Sequence, residues 1–331
     1  MENQNNDTYC IDKPIDDKIL EEIKNYQKLF FGNRFNYPVN NLPSSIKKIT
    51  FNNYFNQPID NLPSELECLI VGDKFNKAVD NLPKEIRTIT FGDEFNQPVD
   101  NLPSKIKKIT FGDDFNKSVD NLPSEIEELY FGKDFNQSVD NLPSKLKKIT
   151  FGDEFNQPVD NLPSEIEELY FGLYFNQFVD NLPSKIKELE FGYYFNQPIE
   201  NLPFGLKKLK LGGKFNQIVD NLPPEIQQLT FGSNFNQPVN NLPSEIQKLT
   251  FDWNFNKPVD NLPYNIQYLD LGYKFNQPVE NLPPELKRIT FGYYFNQAIE
   301  NLPSGLKKLR FEGKFNKNID NLPASIKITR I

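Results

Sequence analysis

The sequence of 331 residues contains no histidine, only two cysteines, one tryptophan and one methionine. The absence of histidine removes the commonest general base and the commonest metal ligand. Two cysteines, Cys10 and Cys68, are too few for a disulfide framework or a structural zinc site. We therefore predict a protein of a reducing compartment that is not an enzyme, with no catalytic residues, no cofactor and no metal centre.

Long apolar runs are also absent, since no segment approaches the roughly 18 apolar residues of a membrane-spanning helix. The N-terminal sequence MENQNNDTYC is polar and acidic, unlike a signal peptide. The formal net charge is −8, so no net positive field attracts phosphate backbones or anionic membrane surfaces. These features predict a cytoplasmic protein with neither nucleic-acid nor membrane partners.

The sequence is instead dominated by a repeat. The stretch FNQPVDNLPS occupies residues 95–104 and returns unchanged at residues 155–164. Phe-Asn recurs fifteen times at a spacing of 20 residues, from Phe35 to Phe315, without insertion. A constant step means that every unit makes the same geometric move, which predicts a solenoid.

Each unit combines one short strand with an irregular return path. Residues 107–111, Lys-Lys-Ile-Thr-Phe, alternate polar and apolar side chains, which predicts a strand with Ile109 and Phe111 inward and Lys108 and Thr110 outward. Proline in Phe-Asn-x-Pro and in Asn-Leu-Pro forbids a regular helix, leaving turns and one helical turn at Leu-Pro-Ser-Glu-Ile. The expected fold is a mainly β repeat solenoid, a leucine-rich-repeat-like curved parallel sheet with irregular return loops.

The two ends of the chain are expected to differ from the repeats. Residues 1–25 predict a polar segment and a capping helix that begins near Pro14, and residues 26–331 predict one solenoid. Within that solenoid, a degenerate first strand precedes fifteen 20-residue repeats over residues 31–330. The last strand presents an open edge blunted by Lys327 and Arg330, which predicts a monomer or a weak edge-mediated dimer.

These residues resemble the FNIP repeat family, named for Phe-Asn-x-Pro, itself a variant of the leucine-rich repeats. The resemblance covers about residues 26–330. This chain differs from bacterial leucine-rich repeats in its ladder asparagine, because Asp114 stands at their ladder position and Asn116 comes later. A different hydrogen-bond ladder is therefore expected, and we expect Asn96, Asp100 and Asn101 to bond backbone groups within their own coil.

Similar proteins occur mainly in social amoebae and in giant viruses of amoebae, and many carry an F-box ahead of the repeats. The resemblance thus implies three roles. The first is a non-enzymatic protein-interaction module with one protein partner. The second is a substrate-recognition adaptor of a ubiquitin ligase, for which we expect no F-box in the segment before the first coil. The third is a structural or decoy protein of a giant virus, acting in the host cytoplasm.

Two columns of charged residues recur from repeat to repeat. The residue before Asn-Leu-Pro is almost always acidic, as at Asp100 and Asp120. This column predicts either a line of Ca²⁺ sites or, as we favour, carboxylates that accept backbone N–H groups at a turn. On the strand face, Lys107-Lys108 and Glu127-Glu128 begin an alternation of sign that stops after Lys207-Lys208, which predicts cross-strand ion pairs that set the register.

Aromatic residues break the repeat pattern just beyond the strands. They predict a protein-binding rim, because aromatic side chains bury a large area at low entropic cost. The alternative is that they stack on one another and only stiffen the rim. The candidate partner-binding residues are Trp253, Tyr273, Tyr293, Tyr294, Tyr268, Tyr174, Tyr193 and Tyr194, and Phe178, Phe204 and Tyr264 depart from the consensus nearby.

Overall fold

The computed structural model describes residues 8–313, 315–319 and 322–331. Their Cα packing forms two compact units. Unit 1 comprises the described residues up to Gln157 together with Asn161–Ile166, and unit 2 comprises Pro158–Asp160 together with Glu167–Ile331. A single solenoid over residues 26–331 stays a prediction.

Unit 1 contains a helix, α1, and eight strands, each parallel to the next along the chain. The register advances by 20 residues per strand, as in the pair Ile109 and Leu129. The elements are β1 (Thr8–Ile11), α1 (Asp17–Ile23), β2 (Lys28–Phe31), β3 (Lys48–Thr50), β4 (Cys68–Ile70), β5 (Thr88–Thr90), β6 (Lys108–Thr110), β7 (Glu128–Tyr130) and β8 (Lys148–Thr150).

Unit 2 repeats the same arrangement with nine parallel strands. The strands are β9 (Glu168–Tyr170), β10 (Glu188–Glu190), β11 (Lys208–Lys210), β12 (Gln228–Thr230), β13 (Lys248–Thr250), β14 (Tyr268–Asp270), β15 (Arg288–Phe291), β16 (Lys308–Phe311) and β17 (Lys327–Arg330). The prediction of a parallel β-solenoid with irregular return segments is confirmed.

The N-terminal region differs from the predicted polar segment and capping helix. The helix begins at Asp17, with Asp16 as its N-cap accepting a 2.8 Å hydrogen bond from the Ile19 amide. Strand β1, which the sequence did not predict, pairs in parallel with β2. Helix α1 is thus the return segment of an additional coil, and β1 covers the strand that we had taken as the first. Residues 1–7 of the predicted segment lie outside the described residues.

The strands are shorter than predicted, because β6 spans three residues where the pattern predicted five. The inward and outward positions are nevertheless correct, with Ile109 and Phe111 buried. The flanking amides still pair with neighbouring coils: Lys107 N–H donates to the Arg87 carbonyl and Phe111 N–H to the Tyr130 carbonyl, both at 2.8 Å. Backbone hydrogen bonds between neighbouring coils therefore extend at least one residue beyond each end of the three-residue strand.

The return path is made of short turns, which replace the predicted helical turn. The Ile106 amide donates to the Pro103 carbonyl at 3.3 Å, and the Phe115 amide donates to the Gly112 carbonyl at 3.4 Å. Both bonds close four-residue turns, as proline-containing return segments require. The turns direct Phe115 inward, where its ring lies 3.9 Å from that of Phe111.

The core of each unit is a continuous stack of apolar side chains. All six predicted positions of one repeat are buried, namely Ile106, Ile109, Phe111, Phe115, Val119 and Leu122. The ring of Phe115 stacks 6.0 Å from Phe95 on one side and 6.1 Å from Phe135 on the other. A single coil would leave both faces of this ring exposed, so the core exists only when coils stack.

Two ladders of side-chain amides connect successive coils. In the first, the Asn116 side-chain oxygen accepts the backbone amide of Asn136 at 3.1 Å and the Gln137 side-chain amide at 2.8 Å. In the second, the Asn121 side-chain amide donates to the Asp100 carboxylate at 2.9 Å. The predicted different ladder is confirmed.

The roles predicted for individual ladder residues were wrong, since we expected them to bond backbone groups within their own coil. A side-chain oxygen that points along the solenoid axis instead meets the next coil before it meets its own. The carboxylates of the acidic column likewise accept hydrogen bonds from asparagine side chains of the next coil. At Asp140, the bonds donated by the Asn161 side-chain amide and the Ser138 hydroxyl lower the pKa of the carboxyl group. Asp320, the last acid of that column, lies outside the described residues.

The alternating charges on the strand face pair across strands as predicted. The Glu127 carboxylate forms ion pairs with the Lys107 ammonium at 2.7 Å on one side and with the Lys147 ammonium at 3.0 Å on the other. These two lysines lower the pKa of Glu127 to about 2. The pairs are largely exposed, so each stabilises the fold by at most about 1 kcal/mol, and their main effect is to fix the register.

A column of glycines permits the closest approach between coils. A Cβ added at Gly292 would overlap the carbonyl oxygen of Gly272 in the preceding coil. The same overlap with backbone arises at Gly112 above Gly92. Because backbone atoms cannot move aside without shifting a whole coil, Gly112 and Gly292 leave no room for a side chain. The column is not uniform, since Asn52, Asp252 and Glu312 occupy it in other coils.

We expect Gly292→Ala to lower stability by roughly 1 to 3 kcal/mol, the usual cost of overpacking. The matched control is Gly305→Ala in the same unit, because a Cβ at Gly305 meets no atom within 4 Å. Thermal unfolding followed by circular dichroism should show a lower melting temperature for Gly292→Ala alone. Equal melting temperatures for the two variants would contradict the close approach.

Asn116→Ala removes the acceptor of the Asn136 amide, so we expect a local loss of about 1 to 3 kcal/mol for the unsatisfied group. Asn116→Asp keeps an acceptor oxygen and should lose less. Hydrogen exchange at the Asn136 amide provides the measurement, with faster exchange expected in the alanine variant. Unchanged exchange there would show that the ladder bond does not hold this turn.

Candidate functional site

The predicted aromatic residues lie in unit 2 and form two groups. The first group contains Tyr174, Tyr193 and Tyr194. The rings of Tyr174 and Tyr194 stack with centroids 5.1 Å apart, and Tyr193 meets Tyr194 edge-on at 5.1 Å. Stacking follows from the fold, because equivalent positions of neighbouring coils are only about 4.8 Å apart.

The second group contains Trp253, Tyr273, Tyr293 and Tyr294. The indole of Trp253 stacks on Tyr273 at 4.0 Å, and Tyr273 stacks on Tyr293 at 5.2 Å. Tyr294 meets both tyrosines edge-on at 5.4 Å. The structure therefore brings four of the eight candidate residues into one rigid cluster.

Stacking does not bury these rings. Tyr193 is 41% exposed, Trp253 47% and Tyr294 55%. Mutual stacking, which we considered as an alternative, is thus observed, but it leaves large aromatic surfaces facing solvent. Pre-stacked rings lose little further conformational entropy when a partner covers them.

A groove of about 640 Å³ runs between the two aromatic groups. Its floor includes the glycines at the ends of β10 to β12, where the backbone is bare. Tyr193 lines one part and Trp253 and Tyr273 line another, with Gly213 and Ser233 between them. A Cβ at Gly213 would overlap the Tyr193 ring, so that ring lies directly over this glycine.

The groove lining is acidic. Glu190 is paired with Lys210, whereas Asp252 accepts a 2.6 Å hydrogen bond from the Ser233 hydroxyl and Asp270 accepts one of 3.2 Å from the Gly272 amide. Burial raises the pKa of Asp270, which the bond from Gly272 only partly offsets. Glu312 is a fourth lining carboxylate and pairs with Arg310 at 3.1 Å.

Tyr268 lies apart from both aromatic groups, on the outward face of β14. It lines a hollow of about 540 Å³ together with Lys248 and Arg288. The hollow shares Thr250 and Asp270 with the groove. Tyr268 can therefore contribute to an adjoining surface, but the structure does not place it in the stack. Phe178, Phe204 and Tyr264 are exposed elsewhere and line neither cavity.

No metal centre or nucleophile emerges from the described part of the chain. Within residues 8–313, 315–319 and 322–331, no group of three or more Cys, Asp or Glu side chains could hold a metal ion. Cys10 and Cys68 are free thiols, and burial raises the pKa of both. A raised pKa keeps a thiol protonated and unreactive.

Sequence reasoning missed the acidic half of the site. The signal was present, because Asp270 replaces the threonine found at its strand position in both neighbouring coils, and Asp252 replaces the usual glycine. Ser233 and Gly213 are equally informative, since between residues 193 and 293 they are the two small residues of a column that is otherwise aromatic there.

The fold defines the chain as a leucine-rich-repeat-like solenoid, a class that presents extended surfaces to other macromolecules. The model of the FNIP Repeat matches overlapping windows from residues 35–74 to residues 295–328. The chain belongs to the FNIP repeat family. A comparison with curated proteins finds no match.

Solved structures include several similar folds. CroV588, a circular LRR protein, is 34% identical over 92% of this chain and 59% of its own, with a TM-score of 0.60. YopM from Yersinia enterocolitica WA-314 is 18% identical over 94% of this chain and 74% of its own, with a TM-score of 0.60. TLR13 in its complex with ssRNA13 is 16% identical over 94% of this chain and 55% of its own, with a TM-score of 0.66. The chain thus spans about three fifths of the length of CroV588, and the latter two show likeness of fold alone.

The described residues include no helix long and apolar enough to cross a membrane, since α1 has seven residues.

Trp253 is the sole tryptophan, so its fluorescence reports on the groove directly. We expect Tyr273→Ser to shift Trp253 emission to longer wavelength and to increase quenching by acrylamide, because the stacked ring at 4.0 Å is lost. Tyr174→Ser serves as the control, since Tyr174 stacks on Tyr194 and should leave Trp253 unaffected. The same response from both variants would contradict the two separate groups.

Proposed function

We propose that this chain is a non-enzymatic protein-interaction module that binds one protein partner through the groove of unit 2. The observation that carries this proposal is the placement of two exposed, pre-stacked aromatic groups on one groove. Aromatic anchors that border a concave surface are the usual centres of protein interfaces.

The acidity of the groove favours a protein over a nucleic acid as partner. Four carboxylates and one ammonium group line it, so phosphate oxygens would be repelled. A protein segment can avoid this repulsion by presenting neutral or basic side chains.

We propose the cytoplasm as the place of action. The free thiols of Cys10 and Cys68 suit a reducing compartment. If the chain is viral, the compartment is the cytoplasm of the host cell.

Affinity purification of the full chain from amoebal cytosol tests the proposal. The test variant carries Trp253→Ser, Tyr273→Ser and Tyr293→Ser. The control carries Phe178→Ser and Phe204→Ser, which removes exposed aromatic surface outside the groove. We expect a protein that the wild type and the control recover equally, and that binds the test variant at least about tenfold more weakly, as loss of anchor residues implies.

A partner retained by the test variant would overturn the groove as the binding surface. Recovery of a ubiquitin-ligase scaffold, independent of the groove, would favour the adaptor role. Recovery of no protein by the wild type would favour a structural role.

A further inference from the structure

The two faces of the Trp253 indole have different neighbours. One face stacks on Tyr273 at 4.0 Å. The other is directed toward the coil of Ser233, whose side chain is small and is turned to the Asp252 carboxylate by a 2.6 Å hydrogen bond. The indole thus has one face that no ring of its own column covers.

Tyr193 stands on the opposite side of this space, where its ring lies over Gly213. Gly213 and Trp253 are two coils apart, a distance of about 10 Å at the usual strand spacing. A planar group in van der Waals contact needs roughly 3.5 to 4 Å on each side. The space over Ser233, between the Tyr193 ring and the Trp253 indole and here called the slot, therefore has room for one planar side chain against Trp253.

The charges around the slot select a cation. Glu190, Asp252, Asp270 and Glu312 line the groove, against the single ammonium group of Lys210. Lys210 is already paired with Glu190. Within the part of the chain that the structure describes, Asp252 belongs to no ion pair, so its carboxylate can receive a cation from a partner. Asp270 is already within the electrostatic influence of Arg310 and Arg288.

The rings beside the slot can also stabilise a cation through their faces. Lys214 already places its ammonium 5.7 Å from the centre of the Tyr193 ring, although it does not line the groove. Tryptophan is the best of the three aromatic residues for this interaction, and a guanidinium can stack flat on it while donating to carboxylates. An ammonium lacks the planar shape.

We propose that the slot binds the guanidinium of an arginine in an extended segment of the partner protein. The guanidinium stacks on the free face of Trp253 and donates hydrogen bonds to Asp252, whose carboxylate is directed toward Ser233. Asp270 lies in the coil of Tyr273, on the other side of the indole, and adds negative charge to the groove without contacting the guanidinium. The inference rests on the proposed function, because it names the chemistry of the partner that the groove binds.

The test uses the full chain and a heptapeptide probe, acetyl-Gly-Gly-Arg-Gly-Arg-Gly-Gly-amide, with Trp253 fluorescence as the readout. The matched control peptide replaces both arginines by citrulline, which has nearly the same shape but no charge. We expect the arginine peptide to bind about three- to tenfold more tightly than the citrulline peptide, the ratio that a cation–aromatic contact provides.

Protein variants then locate the binding. Ser233→Leu fills the slot, and Asp252→Asn removes the carboxylate charge beside it. Each of these two variants should abolish the preference for arginine. Glu245→Gln removes an exposed carboxylate of unit 2 that does not line the groove, and it should keep the preference. Circular dichroism of each variant separates loss of binding from loss of fold.

Equal affinity for the two peptides overturns the proposal, as does an unchanged preference in Ser233→Leu. Tighter binding of a single-stranded RNA heptamer at the slot would also overturn it and make nucleic acid the ligand. If the peptides show no preference but the captured partner still depends on Trp253, only arginine recognition fails and the protein-binding function stands. If the arginine preference holds but no partner is captured, the proposed protein-binding function fails and arginine recognition by the slot stands.

Discussion

The hydrogen bond from one coil's backbone amide to the previous coil's asparagine side chain is the constraint on which the rest of the structure depends. It recurs along the chain, for example from Asn116 to Asn96 and from Asn276 to Asn256, at 3.1 and 2.9 Å. Because the return path contains two prolines and no regular helix, its amides have few partners within their own coil. The asparagine ladder supplies these partners, and in doing so it forces each coil to copy the path of the one before. Glycine contact and phenylalanine stacking are possible only because the copies superimpose.

This constraint also decides where the sequence is free to vary. Ladder asparagines and core phenylalanines are each fixed by a contact with a neighbouring coil, and so are most members of the glycine column, which Asn52, Asp252 and Glu312 interrupt. At the position that holds Gly213, Ser233 and Trp253, it is the backbone that bonds to neighbouring coils, as when the Lys274 amide donates to the Trp253 carbonyl at 3.0 Å. The side chain there is left to other uses. Aromatic residues can accumulate in this column without displacing those backbone bonds, which is why exposed rings are found there.

Much of the fold follows from the sequence because it depends on local pattern: alternation placed Ile109 and Phe111 inward, and proline excluded a helical return. The partners of the ladder residues could not be predicted, since whether Asn116 bonds its own coil or the next depends on the axial rise and the direction of the side chain. Strand β1 was missed because Thr8–Ile11 carries no repeat signature and is a strand only through its pairing with β2. In the candidate site, the aromatic residues could be recognised from the sequence because they depart from the repeat consensus. The acidity of the groove was not, because it requires knowing that Asp252, Asp270 and Glu312 share one cavity.

The carboxylates of the acidic column and those of the groove have different hydrogen-bond partners. In the column before Asn-Leu-Pro, an asparagine amide of the next coil bonds each acid from Asp60 to Asp180, so stacked like charges are held apart by donors. In the groove, Asp270 is largely enclosed and bonds only a backbone amide, while burial raises its pKa. Arg310 and Arg288 act on this carboxyl group electrostatically, but they do not offset the cost of burying its charged form. A further cation bound in the groove would reduce that cost, so occupation of the groove should stabilise the coils of unit 2 that form it. Binding and the integrity of the repeat are thus coupled through the same residue.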